Sequence, residues 1–201
     1  MSFSINKYQP IAGRRIGLFG GSFNPAHYGH FSLAKMAMAR LQLDYVWWMV
    51  SPQNPLKLAD ETSDFDERMA VAREVANHPR FIVCDFERDL GTTTTAQTFV
   101  KLSRVFEQGD FVWLMGADSF AGLHRWNDWQ TILQTLPVAV FDRPEWGSRA
   151  LGSVAAQIYK NHQYAGEDAA LLVGAKTPSW CFVPMSQRVE SSTAIRKRAK
   201  L

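Results

Sequence analysis

Short runs of apolar, β-branched and aromatic residues recur at positions 16–19, 45–50, 81–84, 111–115, 138–141 and 180–183. Stretches with apolar residues on one helical face lie between them: Phe31, Ala34, Met38 and Leu41, then Phe65, Met69, Ala72 and Ala76, then Phe99, Leu102 and Phe106. Ser63 followed by Asp66, and Thr94 followed by Gln97, resemble capping boxes at two helix starts. Alternation of strand-like and helix-like segments predicts an α/β chain with a doubly wound, Rossmann-like parallel sheet flanked by helices. The threonine run at 92–95 is expected where a strand ends and a helix begins, the edge at which open α/β sheets bind ligands. Residues 145–174 carry the weakest pattern and suggest only a surface helix around 154–159 followed by a loop.

Directly after the first apolar run stands GGSFNPAHYGH, residues 20–30. Its glycines allow a backbone to approach a ligand closely, and the helix beyond presents unpaired N–H groups with a partial positive charge, a combination that favours phosphate. His27 and His30 can point at the same anion. Their spacing would also suit a metal pair, but no third ligand with suitable spacing is near in the sequence, so a zinc site is not expected. Near the other end, Ser191, Ser192 and Thr193 precede Ala194, Ile195 and Arg196. Hydroxyls at a helix start can cap it or donate to phosphate, and an arginine one turn on can fork onto further phosphate oxygens.

The 201 residues suffice for one substantial domain, and nothing in the sequence suggests a second. A net charge of +3 with scattered basic residues gives no nucleic-acid groove and fits a small anionic ligand. Cys84 and Cys181 lack metal or redox spacing and are expected as reduced core thiols of a cytoplasmic protein. No apolar run has the length of a membrane span, and residues 1–15 lack the apolar centre of a signal peptide.

Taken together, the His-x-Gly-His at residues 27–30 and the Ser-Ser-Thr-x-Ile-Arg at 191–196 resemble the marks of the nucleotidyltransferase superfamily. GGSFNPAHYGH, TTAQT at 94–98, GADSF at 116–120, the tryptophan of HRWNDW and DRP at 142–144 are similar to the bacterial nicotinate-mononucleotide adenylyltransferases, and the resemblance spans nearly the whole chain. Two positions depart from that pattern. Glu190 stands where an aliphatic residue is usual, and the chain ends at Leu201, soon after the last motif, where many relatives carry a further helical segment with consequences for oligomerisation.

The resemblance implies a nucleotidyltransferase domain over residues 1–201 that transfers AMP from ATP to nicotinate mononucleotide, giving deamido-NAD and pyrophosphate. ATP contacts would come from Gly20, Gly21, Ser22, Phe23, His27, His30, Ser192, Thr193 and Arg196, with Lys57 as a further cation. Beside so much negative charge, protonated imidazoles are expected at His27 and His30. Mg²⁺ would arrive with ATP, held by phosphate oxygens and water with no resident metal site. Thr95 would meet the nicotinate carboxylate, Trp126 would stack on the pyridine ring, Asp118 would bind nucleotide hydroxyls and Arg143 a substrate phosphate. Plainer readings stay open at this stage: Trp126 as core cover, Asp118 and Thr95 as helix caps, Lys57 as a solvated loop residue, and Arg143 as a partner of Asp142. Rival functions are phosphopantetheine adenylyltransferase or a cytidylyltransferase, a nicotinamide-accepting form of the same enzyme, and a nucleotide-binding module without turnover. Neither nucleic acid nor membrane is expected as a partner, and a homo-oligomer is left open.

Overall fold

The computed structural model of the chain describes residues 12–52, 63–106 and 108–185. The strands are β1 (Arg15–Gly21), β2 (Tyr45–Val50), β3 (Phe81–Cys84), β4 (Asp110–Gly116), β5 (Val138–Phe141), β6 (Gln163–Tyr164) and β7 (Trp180–Val183). They form one seven-stranded sheet in the order β3-β2-β1-β4-β5-β7-β6, parallel at every pairing. The helices are α1 (Tyr28–Arg40), α2 (Phe65–Val75), α3 (Phe86–Leu90), α4 (Thr95–Val105), α5 (Ala117–Ala121), α6 (Trp129–Thr135), α7 (Gly147–Leu151) and α8 (Val154–Ile158).

Parallel strands covered on both faces read as continuous apolar runs, which is why the strands were visible without alternation. Adjacent tryptophans show the principle. Trp47 is buried on one face with Phe99, Phe106, Trp113, Phe120 and Trp180, under α3 to α8. Trp48 is buried on the other with Phe19, Phe23, Leu33, Met69 and Phe141, under α1, α2 and a 3₁₀ turn at Gly166–Leu172. Truncating either indole to alanine would cost about 3–5 kcal/mol.

Strand β1 lies between β2 and β4, and the chain winds outward from it in opposite directions. The carboxyl ends of β1 and β4 therefore flank the topological switch point, where open α/β sheets bind ligands. The loop after β1 carries the first motif to this crevice, and α5, which follows β4 directly, carries Asp118.

Several local expectations change. Helix α1 begins at Tyr28, three residues before the apolar stripe, so the second histidine of the motif is already helical. The cap of α2 is Asp64 and not Ser63: its carboxylate accepts from Asp66 N at 2.8 Å and Glu67 N at 3.3 Å, while the Ser63 carbonyl is held by Arg68. The threonine run follows α3, which ends at Gly91 with φ 60°, and not a strand directly. Within 145–174 the helix expected around 154–159 is α8, but α7 precedes it and 3₁₀ turns with β6 occupy the stretch expected as loop; the buried positions of α7 and α8 are Ala150, Ala155 and Ala156, too small to give a strong apolar signal. The Thr94 cap of α4 is as expected, with Gln97 N donating to its hydroxyl at 3.3 Å.

Candidate active site

His27 is the N-cap of α1 and His30 its third residue, and the two close a reciprocal capping box. Gly29 N donates to His27 Nδ1 at 3.1 Å, and His27 N donates to His30 Nδ1 at 3.2 Å. An Nδ1 that accepts a backbone N–H carries no proton of its own. In a neutral ring the proton then sits on Nε2, so each imidazole offers one N–H donor away from the helix. The rings lie 3.8 Å apart between centroids, and His27 Nε2 is buried without a hydrogen-bond partner.

Burial lowers the His27 pKa to about 4, and the Arg143 guanidinium adds to the effect. Burial also holds His30 well below its usual value, helped by His27 and then by Arg143. Without ligand, both imidazoles are thus held towards the neutral form. A second proton would have to displace a capping N–H and would sit beside a guanidinium, so the pocket holds two neutral donors and takes its positive charge from Arg143.

Arg143 follows β5 and pairs with Asp118, its Nε 3.4 Å from Oδ1 and its Nη1 donating to Oδ2 at 3.5 Å. The plainer readings of both residues fail: Arg143 pairs with Asp118 and not with Asp142, and Asp118 lies inside α5 without capping it. Gly116 makes room for this pair. A methyl group there would meet Asp118 Oδ1 and stand 2.7 Å from Arg143 Nε.

Gly20 closes β1 against the Trp113 ring, which any side chain at position 20 would enter. Gly21 and Ser22 follow at the mouth of the crevice, half-buried. Phe23 as a whole is 2% exposed, and its phenyl ring stacks on Trp48 at 5.1 Å. It also meets His30 edge-on at 5.0 Å, so the ring braces an imidazole. Phe23 holds φ 42°, a left-handed value unusual for an aromatic residue.

Thr95 is the first residue of α4, and its hydroxyl makes no hydrogen bond among the described residues. Thr94, not Thr95, is the cap. Trp126 is half-buried and packs against the core face beneath α4, α5 and α6, beside the short turn Leu123–Arg125. Lys57, Ser192, Thr193 and Arg196 lie outside the described residues, so the expected meeting of both chain ends is not part of this geometry. The histidines, Arg143 and Asp118 come together; Thr95 and Trp126 stand on the opposite face of the sheet from α1.

Sequence reasoning missed Arg68. It is 2% exposed, and its side chain donates to four carbonyls: Ser22 at 2.7 Å, Ser51 at 2.8 Å, Pro52 at 2.6 Å and Ser63 at 3.0 Å. A signal was present, since Phe65, Arg68 and Ala72 fall on one helical face and an arginine there is out of place. Ser51 also donates to Glu87 at 2.6 Å, and burial raises the Glu87 pKa against that bond. Among the described residues no group of three or more His, Cys, Asp or Glu could hold a metal ion, and no helix is long and apolar enough to cross a membrane.

A parallel doubly wound sheet with paired imidazole donors and a guanidinium at its switch point defines a nucleotidyltransferase. The family model described as cytidylyltransferase-like matches residues 18–198. The probable nicotinate-nucleotide adenylyltransferase of Ruegeria pomeroyi is 47% identical over 184 residues, 92% of this chain and 86% of that one. Its counterpart in Agrobacterium fabrum is 41% identical over 185 residues, 92% of this chain and 99% of that one. The chain belongs to the cytidylyltransferase-like nucleotidyltransferases and, within them, to the nicotinate-nucleotide adenylyltransferase family. Among solved structures, Plasmodium falciparum nicotinic acid mononucleotide adenylyltransferase complexed with NaAD aligns with a TM-score of 0.67 at 16% identity, over 92% of this chain and 83% of that one. That likeness is one of fold.

Proposed function

We propose that this chain transfers the adenylyl group of ATP to the phosphate of nicotinate mononucleotide, releasing pyrophosphate and giving deamido-NAD. The observation that carries the reading is the pair of neutral Nε2–H donors fixed by their own capping box within electrostatic reach of Arg143. The mononucleotide phosphate is already an anion, so no protein nucleophile is needed. Catalysis then consists of holding it in line with the α-phosphorus and stabilising charge that builds on the leaving pyrophosphate. His27 and His30 donate to the ATP phosphates. Arg143, oriented by Asp118, supplies the fixed cation.

Outside the described residues, Lys57, Ser192, Thr193 and Arg196 are assigned to the same triphosphate, Arg196 on its distal oxygens. Mg²⁺ enters as part of the MgATP substrate. Thr95 offers a hydroxyl and the N–H groups of a helix start to the nicotinate carboxylate, where an amide would bring donors against donors. Trp126 stacks on the pyridine ring. We place this activity in the cytoplasm and assign it to one domain over residues 1–201.

The test is pyrophosphate release with ATP and Mg²⁺, run in parallel on nicotinate mononucleotide, nicotinamide mononucleotide and phosphopantetheine. Release is expected with the first alone or foremost, and silence with all three removes the proposal. His30→Ala should lower turnover far more than it weakens mononucleotide binding, because its contact strengthens as charge moves to the leaving group.

A further inference from the structure

Arg68 is a buried cation in α2 whose partners are all main-chain oxygens: Ser22 in the loop after β1, Ser51 and Pro52 after β2, and Ser63 before α2. Four charge-assisted bonds from one planar fork fix where those carbonyls point. A trans peptide unit directs its C=O and the following N–H in opposite directions. With the Ser22 oxygen drawn onto Arg68 at 2.7 Å, the Phe23 N–H is turned the other way, and it has no hydrogen-bond partner among the described residues. The same loop is tied a second time, by Ser63 N donating to the buried Asn24 side chain at 3.3 Å. Phe23 keeps its left-handed φ of 42° between these ties and the Trp48 ring.

We propose that Arg68 is a positioning residue for nucleotide binding: by holding the Ser22 carbonyl against its guanidinium it turns the Phe23 N–H away from itself as a fixed donor for a phosphate oxygen of ATP. The inference rests on the adenylyl-transfer reading for its ligand. It adds a residue that touches no substrate yet sets the geometry of one that does. Lysine cannot replace it, because a single ammonium cannot bond four diverging carbonyls.

Arg68→Lys and Arg68→Ala are compared with Ala72→Gly, a change at a fully buried position of the same helix that touches none of the four carbonyls. ATP affinity is read directly by calorimetry, alongside turnover and thermal unfolding. Both Arg68 variants should lose about tenfold or more in ATP affinity beyond Ala72→Gly at equal stability. Methylguanidinium should restore part of that loss in Arg68→Ala and none in Ala72→Gly. In the wild type, where folding is not at issue, titration with ATP should move the Phe23 amide proton strongly downfield. ATP affinity that simply follows the melting temperature across the three variants, or a Phe23 amide unmoved by saturating ATP, overturns the proposal. These readouts need no turnover, so failure of the enzyme to use nicotinate mononucleotide would sink the functional reading and leave this one separately decided.

Discussion

Replacing His27 by Asn separates the two tasks of that side chain. Asparagine is among the best N-cap residues, so it can still accept from the first turn of α1, but it cannot take up a proton between neutral and acid pH. In the wild type the folded His27 has a pKa of about 4 against an ordinary 6.5. Above 6.5 both folded and unfolded chains are neutral at this site, and stability is at its full value. As the pH falls from 6.5 towards 4, the unfolded chain gains a proton that the folded chain refuses, and stability is lost. Below about 4 both states are protonated and the loss levels off.

At about 1.36 kcal/mol per pH unit, the whole interval amounts to about 3 kcal/mol. Urea unfolding of wild type and His27→Asn, followed at constant ionic strength from about pH 7.5 to about pH 4.5, measures this as a difference of slopes, and carboxylates common to both proteins cancel. The stability difference should drift by about 2–3 kcal/mol in favour of the variant on going to the acid end. Parallel curves would show that His27 titrates normally, and the neutral-donor description of the site would fall with that result.

Three further changes probe the neighbouring parts. Gly116→Ala should prise Asp118 from Arg143 and cost about tenfold to a hundredfold in kcat/KM, while the melting temperature of a protein that keeps its sheet stays close to wild type; an unaltered kcat/KM would detach the ion pair from function. Thr94→Ala should destabilise by about 1 kcal/mol as a lost cap, whereas Thr95→Ala should leave unfolding unchanged and raise the KM for nicotinate mononucleotide, and the reverse pattern would exchange their roles. Trp126→Ala should raise that KM with little change in kcat; a constant KM with lowered stability would return the indole to core packing.

How much of this was legible in the sequence depends on how each element declares itself. The six longer strands are buried on both faces, and burial writes itself as unbroken apolar runs. The two residues of β6, Gln163–Tyr164, carry no such run, and the five-residue helices α3 and α7 complete too little of an apolar face to show a period. His27 and His30 stood out because histidines beside glycines at a strand end have few structural uses. Their protonation state did not, since it is decided by burial first, then by which ring nitrogen meets the backbone and by Arg143, more than a hundred residues away in the chain. The place of the Phe23 ring was hidden for a different reason. An aromatic residue in a glycine-rich loop resembles a ligand contact, but Phe19 and Trp48 on neighbouring strands supply the cavity that takes it.

Fixing the imidazoles as neutral donors has a consequence for the reaction itself. A site that needed imidazolium would lose turnover as the pH rose through the ordinary histidine range. A site whose Nε2 protons are held by the neutral tautomer keeps its donors throughout that range, because those protons leave only at far higher pH. With both substrates saturating, kcat should therefore stay flat from about pH 6 to about pH 8, and any fall should come on the acid side, where protonation of Nδ1 breaks the capping box. Saturation matters, because the second ionisation of the mononucleotide phosphate, near about 6, would otherwise enter through binding. A kcat that dropped about tenfold per unit above neutrality would mean that substrate phosphates reverse the effect of burial and Arg143. The charge on the leaving pyrophosphate would then be met by imidazolium rather than by the guanidinium across the crevice.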